Sequence, residues 1–347
     1  MKILYAIQGT GNGHLSRARE IIPILQKMAD VDILVSGTQS DIALPFPVKY
    51  QLKGMSFVFG KDGGIDMPAT YLQLSTRTMM DDISKLPVQD YQLVLNDFEP
   101  VSAWACRQRN KPCISLSHQC AVLNKQAPKP KRKDFIGKAV LNFYAPCTDS
   151  YGFHFQSYDK TIFTPVIRSE IRALPVEDRG HYTVYLPSYD DARIIKMLKN
   201  FGHVNWEVFS KHTGKCYVSG NVCIQPIQND KFLGSMASSK GVLCGAGFET
   251  PAEALFLKKK LAVIPMKMQY EQQCNAAALK DMGVPVFKSL KEKHHDKIAD
   301  WLLNRKIVKV DYPDMTEQIL QRIIQRHATK PIKTNQDILK EIAPLSY

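Results

Sequence analysis

The chain has 347 residues, long for a single domain and suited to about two. Its 44% hydrophobic and 23% charged residues are a globular composition, which excludes a disordered or fibrous chain. No stretch approaches the roughly 18 apolar residues of a membrane span, and the net charge of +13 calls for an anionic partner, surface or substrate.

The N-terminus, MKILYAIQGTGNGH, has one lysine and a short apolar run leading straight into glycines. A signal peptide needs a longer apolar region and a small-residue cleavage site, so this run reads as a first strand and a cytoplasmic location is expected. Further strands are predicted at Asp32–Val35, Gln92–Leu95, Cys113–Leu116, Thr183–Leu186, Glu207–Phe209, Cys216–Val218, Val242–Cys244 and Ala262–Ile264, after Ile3–Ile7. Helical patterns cover Leu15–Met28, Pro100–Arg109, Asp190–Phe201, Pro251–Lys258, Glu271–Met282, Lys291–Leu303 and Thr316–Gln325. Such alternation predicts βαβ units, an α/β fold with parallel sheets buried between helix layers.

The alternation starts twice. A first series ends near Phe163 and a second opens at Tyr182, separated by the charged, proline-containing TPVIRSEIRALPVEDRG. This places a domain boundary between 164 and 165. Beyond Pro331, Asn335–Ile342 is expected as a last helix packing back on the N-terminal domain. The eight cysteines show no CxxC or Cys/His zinc spacing, so reduced thiols are expected. Cys106, Cys113 and Cys120 straddle a helix, a turn and a strand, which argues against a shared face.

The densest basic cluster is Lys125, Lys129, Lys131, Arg132, Lys133 and Lys138, followed by the apolar, aromatic run Ala139–Ala145. Cations beside aromatic and aliphatic groups suit an anionic membrane surface better than a base-stacking platform; a solvated loop before a core helix is the plain alternative.

Two glycine loops carry the functional signal. The first, Gly9-Thr10-Gly11-Asn12-Gly13-His14, joins the first strand to the first helix. Glycines let a ligand approach the main chain, and amides at a helix start favour an anion. The spacing is not the dinucleotide fingerprint G-x-G-x-x-G. His14 lies at the carboxyl edge of the predicted sheet, and an imidazole there is suited to taking a proton from a hydroxyl. Asp97 and Glu99, in LNDFEP after another strand, are alternative bases. The second loop, VLCGAGFETPAEALF, reads as strand, turn and helix, with Thr250 as cap, Pro251 in the first turn and Glu253 one turn in, able to accept from ribose hydroxyls. After Ile264-Pro265 comes a polar run of Gln269, Glu271, Gln272, Gln273 and Asn275, suited to sugar hydroxyls.

Together, GTGNGH and AGFETPAEALFLKKKLAVIPMKMQYEQQCNAA resemble the N-terminal loop and donor signature of GT-B glycosyltransferases related to the lipid II GlcNAc transferase and the UDP-glucuronosyltransferases. PCISLSHQC and TPVIRSEI resemble two further segments of that group, in the same order along nearly the whole chain. The resemblance implies two Rossmann-like, doubly wound domains facing a cleft, and sugar transfer, inverting and metal-free, from a UDP-sugar to a hydroxyl, with a lipid-linked acceptor among the expectations. It implies His14 as base, Gly11 and Gly13 at the diphosphate, and Arg168 and Ser188 near the phosphates. It sets Ile227 at the nucleobase, Glu253 on the ribose and Glu271 with Gln272 on the sugar. Gly245, Gly247, Phe248, Glu249, Thr250 and Gln269 fill out the donor side; Asn12, His118 and Gln119 line the acceptor side.

The chain departs from the pattern at Leu186-Pro187-Ser188-Tyr189-Asp190, which lacks the group's glycines, at Gln119 in place of an acid, and at Glu271-Gln272 in place of Asp-Gln. No cofactor is implied. A UDP-sugar 2-epimerase on the same fold, or a basic nucleic-acid-binding protein, is the rival reading. Few acids sit near the loops, and no nucleic-acid motif occurs, so neither is preferred.

Overall fold

The computed structural model describes residues 1–37, 44–54, 76–131 and 134–328. The expected helix at Asn335–Ile342 and the basic residues Arg132 and Lys133 lie outside them. In chain order the first half runs β1 (Lys2–Gln8), α1 (Asn12–Met28), β2 (Asp30–Ser36), β3 (Tyr50–Leu52), α2 (Thr76–Lys85), β4 (Leu93–Asp97), α3 (Pro100–Gln108), β5 (Ile114–Ser117), α4 (His118–Leu123), α5 (Phe135–Tyr144), β6 (Asp149–Phe153) and β7 (Ile162–Phe163). The second runs α6 (Ser169–Arg172), β8 (His181–Tyr185), α7 (Asp191–Leu198), β9 (Asn205–Ser210), β10 (Tyr217–Ser219), β11 (Val222–Pro226), α8 (Asn229–Ser238), β12 (Gly241–Gly245), α9 (Glu249–Phe256), β13 (Lys260–Ile264), α10 (Tyr270–Asp281), α11 (His295–Leu303) and α12 (Thr316–His327).

Two sheets result. The first is parallel in the order β3-β2-β1-β4-β5-β6-β7, and the second runs β10-β11-β9-β8-β12-β13. The parallel expectation fails at one edge, where β10 pairs antiparallel with β11. No helix separates β10 from β11; a two-residue hairpin at Gly220 and Asn221 joins them, and a hairpin reverses the chain. The apolar run KILYAI is buried on both faces: Ile3, Tyr5 and Ile7 face one core, Leu4 and Ala6 the other. On α1, Leu15, Ala18, Ile22 and Leu25 recur at helical spacing and close over the first of these cores.

Chain order reverses at β1/β4 in the first sheet and at β8/β12 in the second. At such a switch point the flanking connections leave in opposite directions and open a crevice beyond the strand ends. His14 lies on the first turn of the helix after β1 and Asp97 ends β4, while Ser188 follows β8 and Gly245–Glu249 run from the end of β12 to the start of α9. One apolar cluster runs across both halves, from Phe153 and Phe155 to Phe248 and Ala252. The chain then returns to the first half, where α12 joins this cluster and Tyr312 donates to the Phe155 carbonyl at 3.0 Å.

Four strands gave no clear sequence signal: β3, β6, β7 and β11. DSYGF of β6 is polar and contains Gly152, a residue that weakens strand propensity. The structure needs that glycine, because a Cβ there would lie 2.6 Å from the Ala121 Cβ on α4. All eight cysteines are free thiols. Cys106 and Cys113, expected on separate faces, share one core, with the Cys147 Sγ 3.6 Å from that of Cys113. Gly152→Ala is expected to cost about 1–3 kcal/mol through overpacking, read as a lower denaturation midpoint with an unchanged slope.

Candidate active site

His14 lies on the first turn of α1, after Gly11, whose φ of 90° brings the chain out of β1 and into the helix. His14 Nδ1 lies 2.8 Å from Asp97 Oδ1. A carboxylate accepts only, so Nδ1 carries the proton and the Nε2 lone pair is left for another partner. That Nε2 sits 3.3 Å from the Gln119 amide nitrogen, which also donates to Glu271 Oε2 at 3.1 Å. His14 and Gln119 belong to the first half and Glu271 to the second, so the three meet across the cleft.

Asp97 ends β4 and is fully buried. The residue after it, Phe98, holds φ 58°, a conformation bulky residues rarely adopt, and its ring stacks on Tyr144 at 4.7 Å. Burial by itself would raise the Asp97 pKa, but the charges of Arg17 and His14 outweigh it and hold the carboxyl below its ordinary value. Asp97 therefore sits behind His14 and orients it, and the expected alternative base is not free to act as one. Glu99, the other alternative, caps α3 by accepting from the Val101 and Ser102 amides at 2.7 and 2.6 Å. Ser36 donates to it as well, at 2.6 Å.

Arg17 was not singled out from the sequence. It follows His14 by one turn and is buried. Its Nε and Nη2 grip both Asp97 oxygens at 2.7 to 3.1 Å, while Nη1 donates to Glu249 Oε1 at 2.6 Å. The available signal was an arginine within the otherwise apolar stripe of α1, since a buried cation demands anionic partners.

On the facing side, α9 begins at Glu249 with Phe248 as its cap residue and no side-chain capping bond. Thr250, expected as the cap, lies inside the first turn. Gly247 leaves open space where a Cβ would stand. Phe248, expected on the donor, instead lies flat on His118 with ring centroids 3.9 Å apart and is buried between the halves. His118, expected on the acceptor side, is also buried. Its Nδ1 lies 2.8 Å from the Phe153 carbonyl and its Nε2 2.8 Å from Asn275 Oδ1. Asn275 is pinned in turn by donating to the Ala246 carbonyl at 3.1 Å. Burial pulls the His118 pKa below the usual imidazole value, against the field of Glu271.

Arg168 and Glu253, given separate roles by the sequence, form one bidentate pair, Nε–Oε1 at 2.6 Å and Nη2–Oε2 at 3.0 Å. Arg168 also holds Glu170 and Asn229. Gln272, expected on the sugar, accepts from the Met266 amide at 2.9 Å and so fixes the loop after β13. Gln269 precedes α10 with its Oε1 buried and without a partner among the described residues. Asn12 opens α1, Ser188 sits half-buried in the turn after β8, Gly245 ends β12, and Ile227 is 41% exposed beyond β11.

Two α/β domains whose switch points face each other across a cleft, one bearing a His–Asp pair and the other an uncapped helix start, define a GT-B glycosyltransferase. The chain matches the family model described as glycosyl transferase family 1 over residues 1–305 and belongs to that family. Its fold is that of MurG from Acinetobacter baumannii, at 15% identity and a TM-score of 0.58, covering 94% of this chain and 99% of the other. The spinosyn forosaminyltransferase SpnP is similar at 12% identity and TM-score 0.57, covering 99% and 100%. Arabidopsis thaliana UGT89C1, solved with UDP, is similar at 12% and 0.58, covering 99% and 98%. No curated protein matches the chain by sequence.

Arg168→Ala would leave the Glu253 carboxylate buried and unpaired. It is expected to lower the unfolding free energy by about 3–5 kcal/mol, whereas Arg168→Met with Glu253→Leu is expected to cost far less. Urea denaturation of the three proteins measures the difference.

Proposed function

We propose that the protein transfers a hexosyl group from a UDP-sugar to an acceptor hydroxyl with inversion, and that His14 is the base. The observation that carries this reading is the His14–Asp97 pair, which leaves Nε2 as a proton acceptor at a point where both domains meet. The acceptor O–H gives its proton to Nε2 and its oxygen forms a bond to the anomeric carbon. The bond from that carbon to the diphosphate oxygen breaks on the opposite face. The leaving charge falls between the Gly11–Gly13 turn and the start of α9, where free amides and the helix dipole stabilise an anion without a metal ion. Glu271 and Gln272 lie beside the sugar, and Glu253, oriented by Arg168, faces the ribose. Ser188 and Ile227 lie on the same carboxyl edge, toward the phosphates and the base. The preference for UDP rests on the resemblance of the donor signature.

We further propose that the enzyme works peripherally on an anionic membrane, on the cytoplasmic face, with a lipid-linked acceptor. Among the described residues no helix is long and apolar enough to cross a membrane. Instead α5 turns Leu141 and Tyr144 inward and leaves Phe135, Ile136 and Phe143 66 to 75% exposed. Lys125, Lys131 and Lys138 are exposed around it. Lys129 belongs elsewhere, since its ammonium donates to the Asn124 and Ala127 carbonyls. Aromatic groups entering the acyl boundary beside lysines at the headgroups make a surface anchor.

Calorimetric titration with UDP, GDP and UDP-sugars tests the donor reading. Wild type is expected to bind one nucleotide in the micromolar range. His14→Ala is expected to bind it nearly as well, yet to release UDP from the UDP-sugar about 100-fold more slowly or worse. Failure of every nucleotide to bind would overturn the reading. In co-sedimentation with anionic vesicles, Phe135→Ser and Phe143→Ser are each expected to weaken partitioning about tenfold; equal recovery of wild type with and without vesicles would remove the membrane role.

A further inference from the structure

Glu249 is the first residue of α9 and faces the glycine loop of the other domain: a Cβ on Gly13 would meet its Cγ at 3.3 Å. Its Oε1 accepts from Arg17 Nη1 at 2.6 Å. Neither α1 nor α9 has a side-chain cap, and Glu249 stands in the space where these two helix starts come together. That space is where the donor reading puts the diphosphate, and a carboxylate and a diphosphate repel strongly when both are removed from water.

We propose that Glu249 is an internal anion that holds the diphosphate site in the donor-free enzyme, and that an arriving nucleoside diphosphate displaces it and takes over Arg17 Nη1. The inference rests on the donor reading of the cleft. Arg17 keeps Asp97 through Nε and Nη2 throughout, so the arginine that binds the diphosphate is also the one that fixes the orienter of His14. Donor arrival and alignment of the base thus share one side chain. In the empty site Glu249 gives Arg17 Nη1 its acceptor.

Release of Arg17 is easiest when Glu249 takes up a proton. The groups around it are Arg17 on α1, Asp97 on β4, Tyr5 on β1, Glu253 on its own helix and Arg168 before α6, with His14 beyond Asp97. Burial pushes the Glu249 carboxyl up to about 7; Arg17 and Arg168 oppose the rise, Glu253 and Asp97 add to it. Below that pH the carboxyl is already neutral and binding takes up no proton. Above it, binding must take one up, so affinity falls as pH rises, by as much as about tenfold per unit.

The test is calorimetric titration of UDP into wild type, Glu249→Gln and Glu249→Ala from pH 7.0 to 8.5, a range above the second phosphate ionisation near 6. Wild-type affinity is expected to weaken about tenfold across the range. Both variants are expected to bind about tenfold tighter than wild type at the upper end and to lose most of the pH dependence. Equal affinity and equal slope in wild type and variants would overturn this inference alone. No UDP binding by any of the three would overturn the donor reading and this inference with it.

Discussion

A buried guanidinium with five donors has to find anions, and the cleft of this protein is organised around how Arg17 finds two. One lies on its own sheet and one on the opposite domain, so a single side chain fixes Asp97 behind His14 and draws the start of α9 toward the glycine loop. Removing either charge from this trio would strand another in a medium of low polarity. The placement of β4, of α1 and of α9 is therefore linked through one residue.

Polar contacts across the rest of the interface share that logic. His118 reaches Asn275, Gln119 reaches Glu271, and Tyr312 reaches the Phe155 carbonyl, each crossing between parts of the chain that have no local reason to meet. Around them the stacked His118 and Phe248 rings and the neighbouring Phe155 exclude water. Hydrogen bonds in such surroundings are strong when satisfied and costly when broken. This explains why several residues that resemble ligand contacts in sequence turn out to hold the domains together.

Local signals explain what the sequence by itself determined. Apolar runs buried on both faces and followed by a helical stripe announce parallel strands, and β1, β4, β8, β12 and β13 all carry that signature, β1 and β12 being also ended by glycine. The glycines after β1 and β12 mark the two turns where a ligand can approach the main chain, which is why His14, Gly247 and Glu249 stood out from the sequence as candidate site residues. Edge strands such as β3 and β7 are short and half-solvated, and β6 needs a glycine for packing against α4; none has a pattern to read.

What the sequence could not decide was pairing over distance. Arg17 and Glu249 stand 232 positions apart, and Arg168 and Glu253 85 apart, and only the folded arrangement turns each into a pair. The same holds for Asp97, whose type suits a base and whose burial beneath His14 and Arg17 makes it an orienter. The exposed aromatic face of α5 was likewise undecidable, because a run of apolar residues reads alike whether it turns toward a core or toward a surface. Residue type and short spacing set what a side chain is able to do; burial and partner, which belong to the tertiary structure, set which of those things it does.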